Sequence, residues 1–317
     1  MRLVYLVLSH ANPPQVVRLT ECLLANDPTC EVVIHHDAGR TTLDGCGLGN
    51  RERAHVLAFE RNAWWGGPRL ARATLRSLRW ISETISPDWT VVLSGQDYPT
   101  RPAAELHAKL RETDADAFLT LFATIDSRRP AEPEVESWHA RYYYRWFRLP
   151  RLTRWLEIPG RWWWQLSWAQ PLLFVWPLPR DSGTVLGIRR RRTPFGPNFR
   201  CYAGSTWFAV NRQGLQALID FATVRPDVID YYARTILPDE SLFQSVLMND
   251  PEVNVATPNL SYIRFDHVTS AHPATMTVDD LDEIEASGAF FTRKVDSYDH
   301  ELLDALDARL SASSGQP

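Results

Sequence analysis

The sequence predicts an α/β protein built on a doubly wound sheet with helices on both faces. Three observations carry this. Over the first ~120 of the 317 residues, short apolar runs alternate with stretches whose apolar residues recur at helical spacing. The runs are almost continuously apolar, as in strands buried on both faces. Polar residues cluster directly behind three of them, at Ser9-His10, Asp37 and Gln96-Asp97, where sheets of this kind bind ligands.

Leu3–Ser9 is the first strand. Pro13 and Pro14 stand where a helix can begin, and Val16, Leu19 and Leu23 follow at its spacing. Glu31–His36 and Val56–Phe59 are the next strands. Pro68–Thr84 is a long helix with Leu70, Leu75, Leu78 and Ile81 on one face and Arg72, Arg76 and Arg79 on the other. Trp89–Ser94 is a fourth strand, a helix starts near Ala103, and Ala117–Phe122 is a further strand. Residues 123–202 break the alternation. From Arg141 to Arg200 there are twelve Arg, no Lys and two acids, Glu157 and Asp181, interleaved with Trp and Tyr. This stretch is expected to be a mainly helical Arg/Trp-rich insertion, an acceptor region or a lid whose Arg stems cover Trp faces. Alternation then resumes: Thr206–Val210 as strand, Gln213–Phe221 as helix, a helix opening at Leu237-Pro238-Asp239-Glu240, strands at Val253–Ala256 and Leu260–Phe265, helices near Val278–Ala286 and from His300. The chain thus reads as one domain of three parts, a nucleotide-binding half over 1–122, the insertion over 123–202 and a catalytic, diphosphate-binding half over 203–317.

A hydrophobic fraction of 44% with 23% charged residues is that of a globular protein with a buried core. A net charge of −4 argues against nucleic acid as a partner of the whole chain. The opening MRLVYLVLSH reads as a strand, and the apolar run around Pro171–Pro179 is too short for a bilayer. Peripheral membrane contact is the most that is expected. The 13 Trp, against 3 Met, suggest surfaces that bind rings, although a bulky core explains many of them. Cys22, Cys30, Cys46 and Cys201 have neither metal-site spacing nor the density of a disulfide framework, so a reducing, cytoplasmic location is expected. Oligomeric state has no sequence signal.

Seven blocks then come in order: YLVLSHANP, VIHHDAG, WWGGPRLARATLRSL, DWTVVLSGQDYPTRP, AGSTWFAVNRQGL, LPDESLFQSVL and AFFTRKVD. Together they cover most of the chain outside 123–202. They resemble the core-2/I-branching β-1,6-N-acetylglucosaminyltransferase and xylosyltransferase family (glycosyltransferase family 14), in a bacterial-type form. The resemblance implies a GT-A-like fold with a mixed sheet. It implies a UDP-sugar co-substrate and an inverting single displacement without a metal or other cofactor. Glu240, in the PDE string, corresponds to the general base. On the donor side, His10 and Asn12 would line the nucleotide pocket, Asp37 would face the uracil and Asp97 the sugar. Ser205 would lie near the diphosphate, whose charge Arg293 and Lys294 would meet. The family carries a second basic residue upstream of that pair; here His272 occupies the neighbourhood, with Arg264 as the alternative. Ala38 and Gly39 stand where a basic residue often follows the uracil-facing Asp, and Arg40 is the next cation. Trp207, Tyr262 and Arg264 fall on the acceptor side.

The chemistry agrees with this assignment. An alcohol must lose its proton to attack an anomeric carbon, so a positioned base is required. Glu240 follows Pro238 and Asp239 where a helix dipole favours a carboxylate, though a plain first-turn acid would look the same. Asp114-Ala-Asp116 precedes a strand and Asp280-Leu-Asp282 lies in a helix, so neither reads as a metal site.

The acceptor is expected to be a cytosol-accessible hydroxyl on a small ring-bearing molecule such as a nucleoside or other secondary metabolite. The competing acceptor is a lipid-linked or surface-polysaccharide saccharide at the membrane face. A different class of reading is a non-catalytic nucleotide-sugar or nucleic-acid binder, which would not need Glu240.

Overall fold

A computed structural model describes residues 1–39, 41–126, 133–149, 172–177, 183–265, 273–296 and 298–314. In chain order, the first half runs β1 (Leu3–Ser9), α1 (Pro13–Asn26), β2 (Glu31–His36), β3 (Ala54–Leu57), α2 (Arg69–Thr84), β4 (Trp89–Ser94), β5 (Asp97–Pro99), α3 (Ala103–Glu112), β6 (Ala117–Phe118) and β7 (Leu121–Ile125). The insertion contributes α4 (Pro133–Tyr143), β8 (Tyr144–Arg148), β9 (Leu173–Pro177) and β10 (Thr184–Arg189). The second half follows with β11 (Cys201–Gly204), β12 (Ala209–Asn211), α5 (Arg212–Val224), α6 (Pro226–Tyr232), α7 (Leu242–Asn249), β13 (Val255–Ala256), β14 (Ser261–Ile263), α8 (Leu281–Ala286), β15 (Phe291–Arg293) and α9 (His300–Ser314).

The main sheet has the order β13-β6-β12-β4-β1-β2-β3. β1 pairs in parallel with β2 on one side and β4 on the other. β12 runs antiparallel to both β4 and β6, so the sheet is mixed. The side-chain period of two in β1 explains the two layers. Val4, Leu6 and Leu8 enter one core with Leu78 and Ile81 of α2 and Leu215 of α5. Leu3, Tyr5 and Val7 enter the other with Leu19 of α1, Leu106 of α3 and Leu302 of α9. Helices therefore cover both faces, as expected. β1 and β4 are the neighbours from which the strand order runs both ways, which opens a crevice beyond their carboxyl ends.

The described residues of the insertion include strands as well as a helix, while the stretches 127–132, 150–171 and 178–182 lie outside the described residues. Among its described residues one helix is joined by a three-stranded antiparallel sheet, β8-β10-β9. The cause is visible in β8, where Tyr144 and Trp146 are buried while Arg145 and Phe147 are exposed. Buried and exposed side chains alternate over Tyr144–Phe147, which suits a pleat. Tyr142, Trp146, Phe174 and Val185 join the core cluster of α2 and α5, so the insertion packs into the protein instead of lying over it.

Candidate active site

A cleft of about 590 Å³ opens at the carboxyl ends of β1, β2 and β4. Ser9 and His10 line it behind β1, Asp37 behind β2, and Ser94 and Gln96 behind β4. Gly95 lets β4 pass close by β1, since a Cβ there would lie 2.9 Å from Ser9 Cβ. Trp64, Trp65 and Gly66 form a wall between β3 and α2, and Trp207, Glu240 and Lys294 line the same space from the second half.

Asp37 is an anchor for this wall. Its Oδ1 accepts backbone N–H groups of Gly39 (2.9 Å) and Asn62 (2.7 Å), and its Oδ2 that of Ala63 (2.6 Å). Burial would raise its carboxyl, but these three donors outweigh burial and hold it below the usual range. A carboxylate has about four acceptor positions, so about one remains for a ligand. Asp37 thus lines the cleft, while most of its capacity holds the 60–63 loop.

Asp97 is not among the residues that line the cleft. Its side chain is fully buried and accepts from the Ser94 N–H (2.8 Å) and from Arg293 Nη1 (2.9 Å). Burial pushes its carboxyl up, against the pull of Arg293 and the Ser94 amide. The register of β15 against β5 sets Arg293 opposite Asp97, and the guanidinium lies 4.3 Å from the Trp207 ring centroid. Asp97 and Trp207 therefore hold Arg293, and Arg293 lines the cleft. Arg293 Nε is buried without a hydrogen-bond partner among the described residues. Lys294 lines the cleft next to it.

Glu240 lies in a single 3-10 turn, Pro238–Glu240, ahead of α7, not in the helix itself. The turn is tightly held. Leu237 takes a left-handed conformation at φ 50°, donates its N–H to the Gly66 carbonyl (2.8 Å), and accepts from the Tyr142 hydroxyl at its own carbonyl (3.2 Å). Asp239 is buried and accepts from the Thr206 hydroxyl (2.9 Å). Glu240 is half-buried in the cleft wall, and its Oε2 accepts from Arg141 Nη1 at 2.7 Å. Burial pushes the Glu240 carboxyl up to about 7, with Arg141 opposing the shift and Asp239 adding to it. A carboxylate poised near neutrality, with one oxygen anchored, can take a proton from a hydroxyl presented in the cleft.

Ser205 lines the cleft, buried, with its Oγ accepting the Trp207 N–H. Tyr262 lines it too, and its phenol is pushed up to about 12 by burial and a hydrogen bond to Glu283. Two expected site residues have other occupations. Asn12 is the N-cap of α1, its side chain accepting from the Gln15 N–H, and it does not line the cleft. Arg264 is paired with Asp280 and Glu283 and is outside the cleft lining. His272 and Arg40 lie outside the described residues. In the Asp-x-Asp strings, Asp116 holds Asn211 and the Asn254 N–H, and Asp280 holds Arg264 and Thr277.

Two contributors were not legible as such. Arg141 comes from α4, 99 positions before its partner, and was one arginine among twelve. Trp64 belongs to the WWGG block but had no assigned role. Gly67 packs flat on its ring, where a Cβ would come within 2.5 Å.

Residues 185–287 match the sequence model of the Core-2/I-Branching enzyme family. Over that segment the chain is similar to this family. β-Glucuronosyltransferases GlcAT14B and GlcAT14A of Arabidopsis thaliana are each 28% identical to it, over 222 and 263 residues. The alignments cover 67% and 81% of this chain and 49% and 50% of those proteins. Xylosyltransferase 2 of Rattus norvegicus is 25% identical over 288 residues, covering 83% of this chain and 28% of the relative. The chain thus spans about half or less of the length of these curated relatives.

Proposed function

We propose that the protein transfers a sugar from a UDP-sugar to an acceptor hydroxyl, with inversion and without a divalent cation. The observation that carries this reading is Glu240, a half-buried carboxylate poised near pH 7 in the wall of a cleft that Arg293 and Lys294 also line. Glu240 takes the hydroxyl proton as the acceptor oxygen bonds to the anomeric carbon. The bond from that carbon to the phosphate oxygen breaks on the opposite face, with oxocarbenium character between. UDP leaves with the electron pair, and Arg293 and Lys294 meet the charge on its diphosphate. His10 and Asp37 lie at the nucleotide end of the cleft. The names of the relatives put glucuronosyl and xylosyl transfer first among the donors to try, with N-acetylglucosaminyl transfer beside them. A ring-bearing small acceptor is supported by Trp64, Trp65, Trp207 and Tyr262 in the lining. Four unpaired thiols support a reducing compartment, the cytoplasm.

The test is release of UDP from each UDP-sugar against a panel of acceptors, with EDTA present. Turnover that is abolished by EDTA and restored by manganese rules out the metal-free assignment. A folded Glu240→Gln variant is expected to lose at least ~100-fold in kcat/KM, and full activity in it removes Glu240 as the base.

A further inference from the structure

None of the described residues of the insertion lines the cleft, yet the insertion reaches the base directly. Arg141 and Trp138 come from α4 and Trp176 from β9. The Arg141 guanidinium is 3.9 Å from the Trp138 ring centroid and 5.5 Å from that of Trp176, with Nη1 on Glu240 Oε2. Its side chain is 15% exposed and that of Glu240 26%. Exposed ion pairs are worth little because both partners stay hydrated and mobile; this one is enclosed, and its cation is held by two aromatic rings. A second arginine of the insertion, Arg148 on β8, lies over the Trp64 ring at 5.7 Å.

We propose that Arg141 is a positioning residue through which the insertion holds Glu240 ionised and aimed into the cleft, so that the base is complete only when the insertion is seated on the core. The proposal rests on the base assignment above. The charges around Glu240 support it. From its own turn comes Asp239, a buried carboxyl whose ionisation opposes that of Glu240. From α4 come Arg141 and Tyr142, whose phenol burial keeps neutral. Behind them is the Cys201 thiol of β11, pushed up to about 12 by burial and also neutral. Arg141 is the cation bonded to the carboxylate. It occupies Oε2, which leaves Oε1 for the acceptor proton. Were Arg141 there only to hold the insertion down, its loss would cost the same activity at every pH.

Two measurements separate these. The first is the ionisation midpoint of Glu240, followed by NMR on protein labelled with carbon-13 at the glutamate side-chain carboxyls, with Glu240→Gln assigning the resonance. The second is the pH dependence of UDP-sugar turnover. In Arg141→Met the midpoint is expected to rise by at least about one unit. The ionised fraction at pH 7 then falls from about half to about a tenth, roughly fivefold, and turnover recovers to within about twofold of wild type by pH 9. Arg141→Lys, which keeps a cation, should stay near the wild-type midpoint. If Arg141→Met does not fold, Arg141→Gln keeps a donor without the charge and carries the same test. An unmoved midpoint, or a loss of turnover that is equal across pH, overturns the proposal. If the wild type turns over no UDP-sugar, the transferase reading fails, while the Glu240 midpoint still decides whether Arg141 holds the carboxylate ionised.

Discussion

Replacing Asp37 by Asn removes a charge and one acceptor from the wall of the cleft. In the wild type, Oδ1 serves Gly39 and Asn62, and Oδ2 serves Ala63. The Asn oxygen can keep the first two donors. Its amide nitrogen then faces the Ala63 N–H, donor against donor. Hydrogen bonds to a charged group contribute about 1.5–3 kcal/mol each, so losing one and weakening two should cost about 2–4 kcal/mol. That is a large share of the roughly 5–15 kcal/mol that holds a domain folded. Urea unfolding at pH 7, followed by circular dichroism, measures it. Faster amide exchange at Asn62 and Ala63 would place the loss in the 60–63 loop. The sign with pH is fixed by the depressed carboxyl. Its stabilisation is present above the unfolded value of about 3.9 and disappears as pH falls through the lower folded value, so the gap between variant and wild type should narrow in acid. A difference below ~0.5 kcal/mol at neutral pH would refute the anchoring role, since losing a charge-assisted hydrogen bond and setting a donor against the Ala63 N–H cannot be that cheap.

Turnover should rise with pH through a midpoint near 7, because the base must be unprotonated; a pH–rate profile that is flat from 6 to 8 would contradict the Glu240 assignment. Asp97→Asn keeps an acceptor for the Ser94 N–H but leaves Arg293 without its anion. A buried pair that loses one partner costs roughly 3–5 kcal/mol, and the retained bond puts the expectation near ~3. Urea unfolding measures that, and the KM for the donor should rise more than kcat falls; unchanged stability would show that Asp97 does not hold Arg293. Gly67→Ala forces the Trp64 ring out of its place against the backbone. Overpacking of this kind costs about 1–3 kcal/mol, read as a lowered melting temperature, and an unchanged melting temperature would mean the wall yields freely.

Much of the fold was legible because its signals are local. β1, β2 and β4 are continuous apolar runs, and α2 has two clean faces, so their bounds were readable to within a residue. The positions of His10, Asp37, Gln96 and Glu240 around one cleft follow from the sheet topology, since such sheets gather strand ends into one crevice. The insertion was harder. Arginine and tryptophan are at home in helix covers and in strands alike, and in β8 it is the alternation of burial, not of residue type, that marks the strand.

What each site residue does with its charge depends on partners distant in sequence. Asp37 and Asp97 look alike as acids behind apolar strands, yet one is met by three backbone amides and the other by a guanidinium 196 positions away. Arg264, placed on the acceptor side by the resemblance, is paired with Asp280 and Glu283. Glu240 was assigned as the base through the family resemblance, its PDE string alone being equally that of a first-turn acid; its protonation is set by burial, by Asp239 and by Arg141 from α4. Local pattern determined the sheet, the helices on its two faces and the acid that faces the cleft. Tertiary structure decided which charges meet, because burial and pairing are properties of the packed chain, and those two set both the pKa and the aim of a carboxylate.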